Sequence, residues 1–175
     1  MRTVRATGLA VLAAGMTLLP MGAATAATST FGDQVNETTS ASDIHRVTVR
    51  NDRQADRFRV AVKVDRIVLG SALTVFVDRN LRNRGPELRM MAVPDSEWAL
   101  YRVDKWGERG RPLTTCGRVR MSASSAREVA VWRASRDCLH LYGAVRVSAK
   151  MVDAKGRADW APQRRHFYPP VSARS

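Results

Sequence analysis

Cysteine is scarce in this sequence, which contains only Cys116 and Cys138. A metal site built on this pair would need further ligands at short spacing, and the sequence offers none there. In an oxidising compartment an isolated pair of cysteines is expected to join. We therefore predict one structural disulfide between Cys116 and Cys138, no metal site and no cofactor.

The chain also lacks the short sequence motifs that mark known enzyme active sites. The chain has no Gly-x-Ser-x-Gly elbow, no His-Glu-x-x-His pair and no glycine-rich phosphate loop, and its three histidines, His45, His140 and His166, lie in unrelated contexts. We predict no catalytic residue. A small secreted hydrolase with an active site assembled from distant residues stays as an alternative, because sequence order does not determine geometry.

Long apolar runs are absent except near the start. Arg2 and Arg5 precede the uncharged, mostly apolar run Gly8 to Leu19, and Ala24 and Ala26 occupy the small-residue positions of a peptidase site. This pattern is typical of a signal peptide, and the run is shorter than the ~20 apolar residues that span a bilayer. We predict a signal peptide over 1–26, cleavage after Ala26, a secreted extracellular protein and no membrane span in the mature chain.

No segment carries an apolar stripe at helical spacing for long enough to predict a helix. From Ile44 onward the apolar residues instead recur at every second position, as in RFRVAVKVD, where Phe58, Val60, Val62 and Val64 alternate with charged residues and one alanine. REVAVW continues the alternation with Val129 and Val131. Such segments, separated by turn-forming clusters, predict an all-β protein.

The expected fold is an antiparallel β-sandwich, immunoglobulin-like or jelly-roll-like, with a closed β-barrel as the alternative. We predict a flexible leader over 27–42, where the sequence is polar and without period. One domain is predicted over 43–168, followed by a C-terminal tail over 169–175.

Lysine is rare: arginine supplies 25 of the 29 basic residues and lysine only 4, and the whole chain has a formal net charge of +13. An excess of arginine this large is typical of a GC-rich genome, but the charge attracts polyanions whatever its origin. The residues predicted for a polyanion-binding face are Arg57, Arg59, Lys63, Arg118, Arg120, Arg146 and Lys150. The competing interpretation is a solvated outer face of the sheet.

Aromatic residues are few, at 6% of the chain, and they do not alternate with these basic residues. Proteins that bind nucleic acid usually place stacking aromatics beside the cations, so we predict no specific nucleic-acid partner. Trp98, Tyr101 and Trp106 lie close together in sequence and would suit sugar rings if they were exposed.

The segments VTVRND, CGRVRM, SRDCL and ADWAP together resemble a group of small secreted actinobacterial proteins of unknown function. The resemblance covers about residues 43–162 and differs around Cys138, where this chain has ASRDCLH. It implies an actinobacterial source, an exported β domain and a disulfide, and it transfers no site residue. The expected role is non-catalytic binding to an extracellular protein or an anionic cell-wall polymer, with a protease inhibitor as a further alternative.

Overall fold

Eleven β-strands and no α-helix make up the part of the chain that the computed structural model describes, residues 27–34, 42–93 and 97–173. The strands are β1 (Ala27–Gly32), β2 (Ile44–Asp52), β3 (Arg57–Val64), β4 (Ala72–Asp78), β5 (Leu88–Ala92), β6 (Trp98–Arg102), β7 (Arg111–Pro112), β8 (Arg120–Ser124), β9 (Val129–Ala134), β10 (Arg146–Val152) and β11 (Ala158–Ala161). The prediction of an all-β protein is confirmed.

The strands form two antiparallel sheets. The five-stranded sheet has the order β1-β2-β3-β9-β8, and the six-stranded sheet has the order β11-β10-β4-β5-β6-β7. The sheets are separate and do not close into a barrel, so the fold is the β-sandwich and not its alternative. β2 lies against β10 and β11 of the other sheet, which places the core between the two layers.

The alternation along each strand explains which face is buried, because successive side chains of a strand point to opposite faces. In β3 the side chains of Phe58, Val60, Val62 and Val64 are at most 1% exposed, as the sequence predicts. β9 has the opposite phase from the one that its valines suggest. Ala130, Trp132 and Ala134 face the core, and Val129 and Val131 pair with the outward residues of β3. Trp132 is large enough to fill the space that the small residues beside it leave.

Two segments outside the predicted domain belong to the fold. Ala27–Gly32 form β1 and pair with β2 along their whole length, so the prediction of a flexible leader is wrong for these residues. Phe31 of β1 stacks on Tyr168 with ring centroids 4.5 Å apart, a contact between segments that are remote in sequence. In the predicted tail, Val171 is 2% exposed and bridges to Val145. Residues 35–41 and 174–175, as well as the signal segment 1–26, lie outside the described residues.

The disulfide is present as predicted. Cys116 and Cys138 are bonded, their Cα atoms are 5.5 Å apart, and they are separated by 22 positions in the sequence. The bond joins the loop before β8 to the loop after β9, the two strands of one edge of the five-stranded sheet. Among the residues that the structure describes, no helix is long and apolar enough to cross a membrane.

Candidate polyanion-binding surface

Four arginines lie side by side across the outer face of the five-stranded sheet. Arg50 of β2 is the direct cross-strand partner of Arg59 in β3, and Arg59 is the partner of Arg133 in β9. Arg133 is in turn the partner of Arg120 in β8. We call these four residues the arginine row. Because neighbouring strands lie about 4.8 Å apart, the row extends over roughly 14 Å.

The charges of the arginine row are only partly compensated. Arg50 is paired with Asp52 at 2.6 Å, whereas the Arg59 guanidinium makes no hydrogen bond or ion pair with any residue that the structure describes. Arg133 donates to Ser122 Oγ at 3.1 Å, and Arg120 donates to the carbonyl of Val119 at 2.9 Å. These two acceptors are neutral.

Arg59 is the member of the row whose charge is least favoured by its surroundings. Burial lowers the pKa of Arg59 below its ordinary value, and the neighbouring charges of Arg133 and Arg50 lower it further. Like charges that face each other across strands destabilise a sheet. The folded protein therefore carries an unfavourable concentration of positive charge that an anionic ligand would relieve.

The seven residues predicted for one polyanion face are divided between the two sides of the sandwich. Arg57, Arg59, Lys63 and Arg120 lie on the outer side of the five-stranded sheet, and Arg118 precedes β8 in the adjoining loop. Arg146 and Lys150 belong to β10 of the six-stranded sheet. No single surface can contain them all.

Two of the seven are engaged in ion pairs. Lys63 Nζ binds the Glu128 carboxylate at 2.9 Å, where both side chains are well exposed. The Arg146 guanidinium binds Asp78, whose side chain is fully buried. The charge of Arg146 therefore neutralises a buried carboxylate and is not available to a ligand.

Sequence reasoning missed Arg50 and Arg133 as members of the surface. Both occupy outward positions of their strands, because Val49 beside Arg50 and Trp132 beside Arg133 face the core. The alternation could have identified them as outward basic residues. It could not have shown that they flank Arg59, since strand pairing is a long-range property.

Trp98, Tyr101 and Trp106 do not form one aromatic cluster. Trp98 is 45% exposed and meets the buried Trp132 edge-on, with ring centroids 5.8 Å apart. Tyr101 lies under the Arg89 guanidinium, 4.7 Å from ring centroid to carbon, whereas Trp106 packs against Phe167 at 4.7 Å. The shared sugar platform that their spacing suggested is therefore not formed by these three rings.

The structure also gathers Asp43, His45 and Asp65 near the start of β2 and the end of β3. The potential ligand atoms of these residues lie within 4.8 Å of one another, a geometry that could hold a metal ion. However, His45 Nε2 lies 2.6 Å from Asp65 Oδ1, so the ring and this carboxylate already pair with each other. Burial raises the pKa of nearby Asp159, and the Asp43 carboxylate contributes to that rise. The cluster is explained by pairing within the protein.

The loop carboxylates are likewise occupied. Asp52 accepts a hydrogen bond from the backbone N–H of Ala55 at 3.0 Å, which together with Arg50 lowers its pKa. Asp56 accepts hydrogen bonds from Ser135 Oγ at 2.5 Å and from the backbone N–H of Asp137 at 2.9 Å, and its pKa is also lowered, first by the Ser135 bond. Asp56 thereby ties the β2–β3 turn to the loop after β9.

The geometry defines a two-sheet β-sandwich with one strongly cationic outer face. No protein-family model matches this chain, and no curated protein sequence matches it.

Proposed function

We propose that this protein is a secreted, non-catalytic β-sandwich that binds a phosphate-backbone polymer of the cell-wall zone through the outer face of its five-stranded sheet. The observation that carries the proposal is the arginine row, in which four guanidinium groups occupy directly opposed positions on four adjacent strands. A linear polymer with regularly spaced negative charges can contact such a row at several points at once.

The chemistry of the row favours phosphate. Guanidinium groups are planar, always charged and able to donate two parallel hydrogen bonds to one phosphate. Each ion contact displaces counterions from the polymer, which adds a salt-dependent free energy to binding. Relief of the repulsion around Arg59 adds to that free energy, because the bound phosphates lie between like charges.

A polymer suits this face better than a folded protein partner. Protein interfaces usually have an apolar or aromatic centre. The large apolar side chains that stand exposed in the described part of the chain are Leu69, Leu81, Val93, Trp98 and Tyr142, and all of them lie outside the strands of the five-stranded sheet. The row is bordered instead by Thr48, Ala61, Val131 and Ser122 on the same face, and the two apolar side chains among them, Ala61 and Val131, are at most 8% exposed. These side chains offer no hydrophobic centre for a protein–protein contact and no stacking surface for nucleic-acid bases.

Removing three charges of the row tests the proposal. We expect the variant R59Q/R120Q/R133Q to bind purified wall teichoic acid far more weakly than the parent in solutions of low ionic strength. The slope of log affinity against log salt should become shallower by about 2, if each lost contact contributes roughly 0.7 as it does for single-stranded nucleic acid. Titration calorimetry over a series of salt concentrations gives both quantities. Arg50 is left in place because it binds Asp52.

The matched control removes the same number of charges elsewhere. Arg82, Arg84 and Arg109 are exposed residues of loops that flank the six-stranded sheet, so R82Q/R84Q/R109Q has the same net charge as the row variant. We expect the control to retain the salt slope of the parent. Equal losses in both variants would show attraction by net charge alone and would overturn the proposal. Tighter binding to single-stranded DNA than to teichoic acid would assign the face to nucleic acid instead.

Cleavage of the predicted signal peptide tests the proposal that the protein is exported. Cleavage after Ala26 would remove the charged start and the apolar run and would leave all six residues of β1 in the mature chain. We expect protein purified from culture supernatant to begin at Ala27, as determined by N-terminal sequencing and intact mass. Full-length protein that retains Met1 and stays in the cells would contradict secretion.

A further inference from the structure

The outer face of the six-stranded sheet contains a cavity of about 260 Å³. Phe76 of β4, Lys150 of β10 and Trp160 of β11 line it from the sheet, and Arg164 and Arg165 line it from the segment that follows β11. We call it the cationic cavity. It lies on the other side of the sandwich from the arginine row.

Positive charge dominates the lining of the cationic cavity. Its charged lining residues are Arg89, Lys150, Arg164 and Arg165, and no acidic side chain of the described residues lines it. Arg89 is held by the protein itself, because it donates to the carbonyls of Glu108 at 2.8 Å and Arg109 at 2.5 Å. Lys150, Arg164 and Arg165 form no ion pair with a described residue. These three cations are available to a ligand.

Arg165 lies at the rim of the cavity and has an unusual backbone conformation. Arg165 has a φ of 61°, a left-handed conformation that costs free energy in a residue with a side chain. Its guanidinium approaches Gly107, where a Cβ atom would lie 3.8 Å from Nη2. The guanidinium therefore lies over a glycine of the opposite loop, at the rim of the cavity.

Aromatic rings supply the apolar part of the wall. The rings of Phe76 and Trp160 are nearly parallel, with an interplanar angle of 8° and centroids 5.5 Å apart. Trp106 meets Phe76 at 5.0 Å and Trp160 at 6.0 Å, which holds both rings in place. Lys150 Nζ lies 5.4 Å from the Trp160 ring centroid, so a cation and an aromatic ring adjoin each other at the site.

We infer that the cationic cavity binds a single sugar ring that carries a carboxylate or a phosphate group. The volume is slightly below the roughly 300–1,000 Å³ of typical ligand pockets, which suits one ring and not an oligomer. Three uncompensated cations select an anion, and the aromatic wall provides contact for the body of the ring. One lysine and two arginines present more N–H donors than one anionic group accepts, and sugar hydroxyl oxygens can accept the remainder.

Titration calorimetry and intrinsic tryptophan fluorescence test the inference with defined probes. We expect glucose 1-phosphate or glucuronate to bind at one site and to change the fluorescence of Trp160 and Trp106. Glucose lacks the charged hydrogen bonds, and inorganic phosphate lacks the ring that contacts the aromatic wall. Each should therefore bind at least about tenfold more weakly. The comparison of the two acidic sugars shows which anionic group the site prefers.

Substitutions locate the binding to the cavity. We expect K150Q, and separately R164Q/R165Q, to lose about tenfold or more in affinity for the preferred probe. K155Q changes the same charge in an exposed turn and should bind like the parent, as should R59Q/R120Q/R133Q, with far-UV circular dichroism as the check on folding. Equal binding of inorganic phosphate, stronger binding of phenyl phosphate than of both acidic sugars, or affinity unchanged in both cavity variants would each overturn the inference.

Discussion

Replacement of Arg146 by methionine is expected to lower the free energy of unfolding by about 3 kcal/mol at neutral pH. Arg146 binds Asp78 directly across β10 and β4, and the Asp78 side chain is fully buried. Without the guanidinium, the buried carboxylate keeps one hydrogen bond from a described residue, the backbone N–H of Asn80 at 2.9 Å. Methionine keeps apolar contact with Phe167, over which the guanidinium lies at 5.2 Å. Urea denaturation of the two proteins measures the difference.

The pH dependence of this loss follows from the titration of Asp78. Burial raises the pKa of Asp78 above its ordinary value, and Arg146 opposes that rise. In R146M the pKa rises further, so the folded state holds a proton that the unfolded state has released. Stability then decreases as pH rises from the unfolded pKa to the folded one. The deficit of R146M should therefore be smaller at about pH 4 than at about pH 7.

Two further variants separate the buried pair from ordinary surface charge. D78N/R146M removes the buried charge together with its partner and should recover part of the loss. K63M breaks the exposed pair with Glu128 and is expected to cost less than about 1 kcal/mol. A loss in R146M no larger than that in K63M, with no dependence on pH, would contradict the assigned role of Arg146.

Removal of the disulfide should have an effect of similar size. The bond closes a segment with a sequence separation of 22, for which the chain-entropy relation gives roughly 3 kcal/mol. We expect C116A/C138A to fold, because hydrogen bonds that do not involve the sulfur atoms still hold this loop. Ser135 Oγ donates to Asp56 at 2.5 Å and accepts from the backbone N–H of position 138 at 3.2 Å. Its unfolding midpoint in urea should be lower than that of the oxidised parent. Mass spectrometry of the parent without reduction should find no free thiol.

The reduced parent is the control for this variant, because it breaks the same bond without changing the packing of the side chains. Reduction should bring its midpoint close to that of C116A/C138A. If the oxidised parent, the reduced parent and the variant unfold at the same urea concentration, the bond contributes nothing to stability. A variant much less stable than the reduced parent would assign the loss to packing of Cys116, which is 5% exposed in the core.

Much of the fold follows from local pattern in the sequence. Alternation of apolar and polar residues determines that β3 is a strand and that Phe58, Val60 and Val62 face the core, because strand geometry turns every second side chain to one face. The disulfide follows from there being only two cysteines in the chain. In β9 the same pattern predicts the wrong inward face. Burial of the large Trp132 side chain between small residues stabilises the fold more than burial of Val129 and Val131, which pack against neighbouring strands.

The candidate sites depend on contacts that no local pattern contains. Alternation shows that Arg59 and Lys150 point outward from their strands, but it does not show that they lie on opposite sides of the sandwich. The arginine row exists because β3 pairs with β9, and the cationic cavity exists because the segment after β11 folds over the sheet. Sequence by itself determined the strands, most of their inward faces, the disulfide and the excess of positive charge. Only the tertiary structure decided which charges meet, because strand pairing joins residues that are remote along the chain and only folding brings them together.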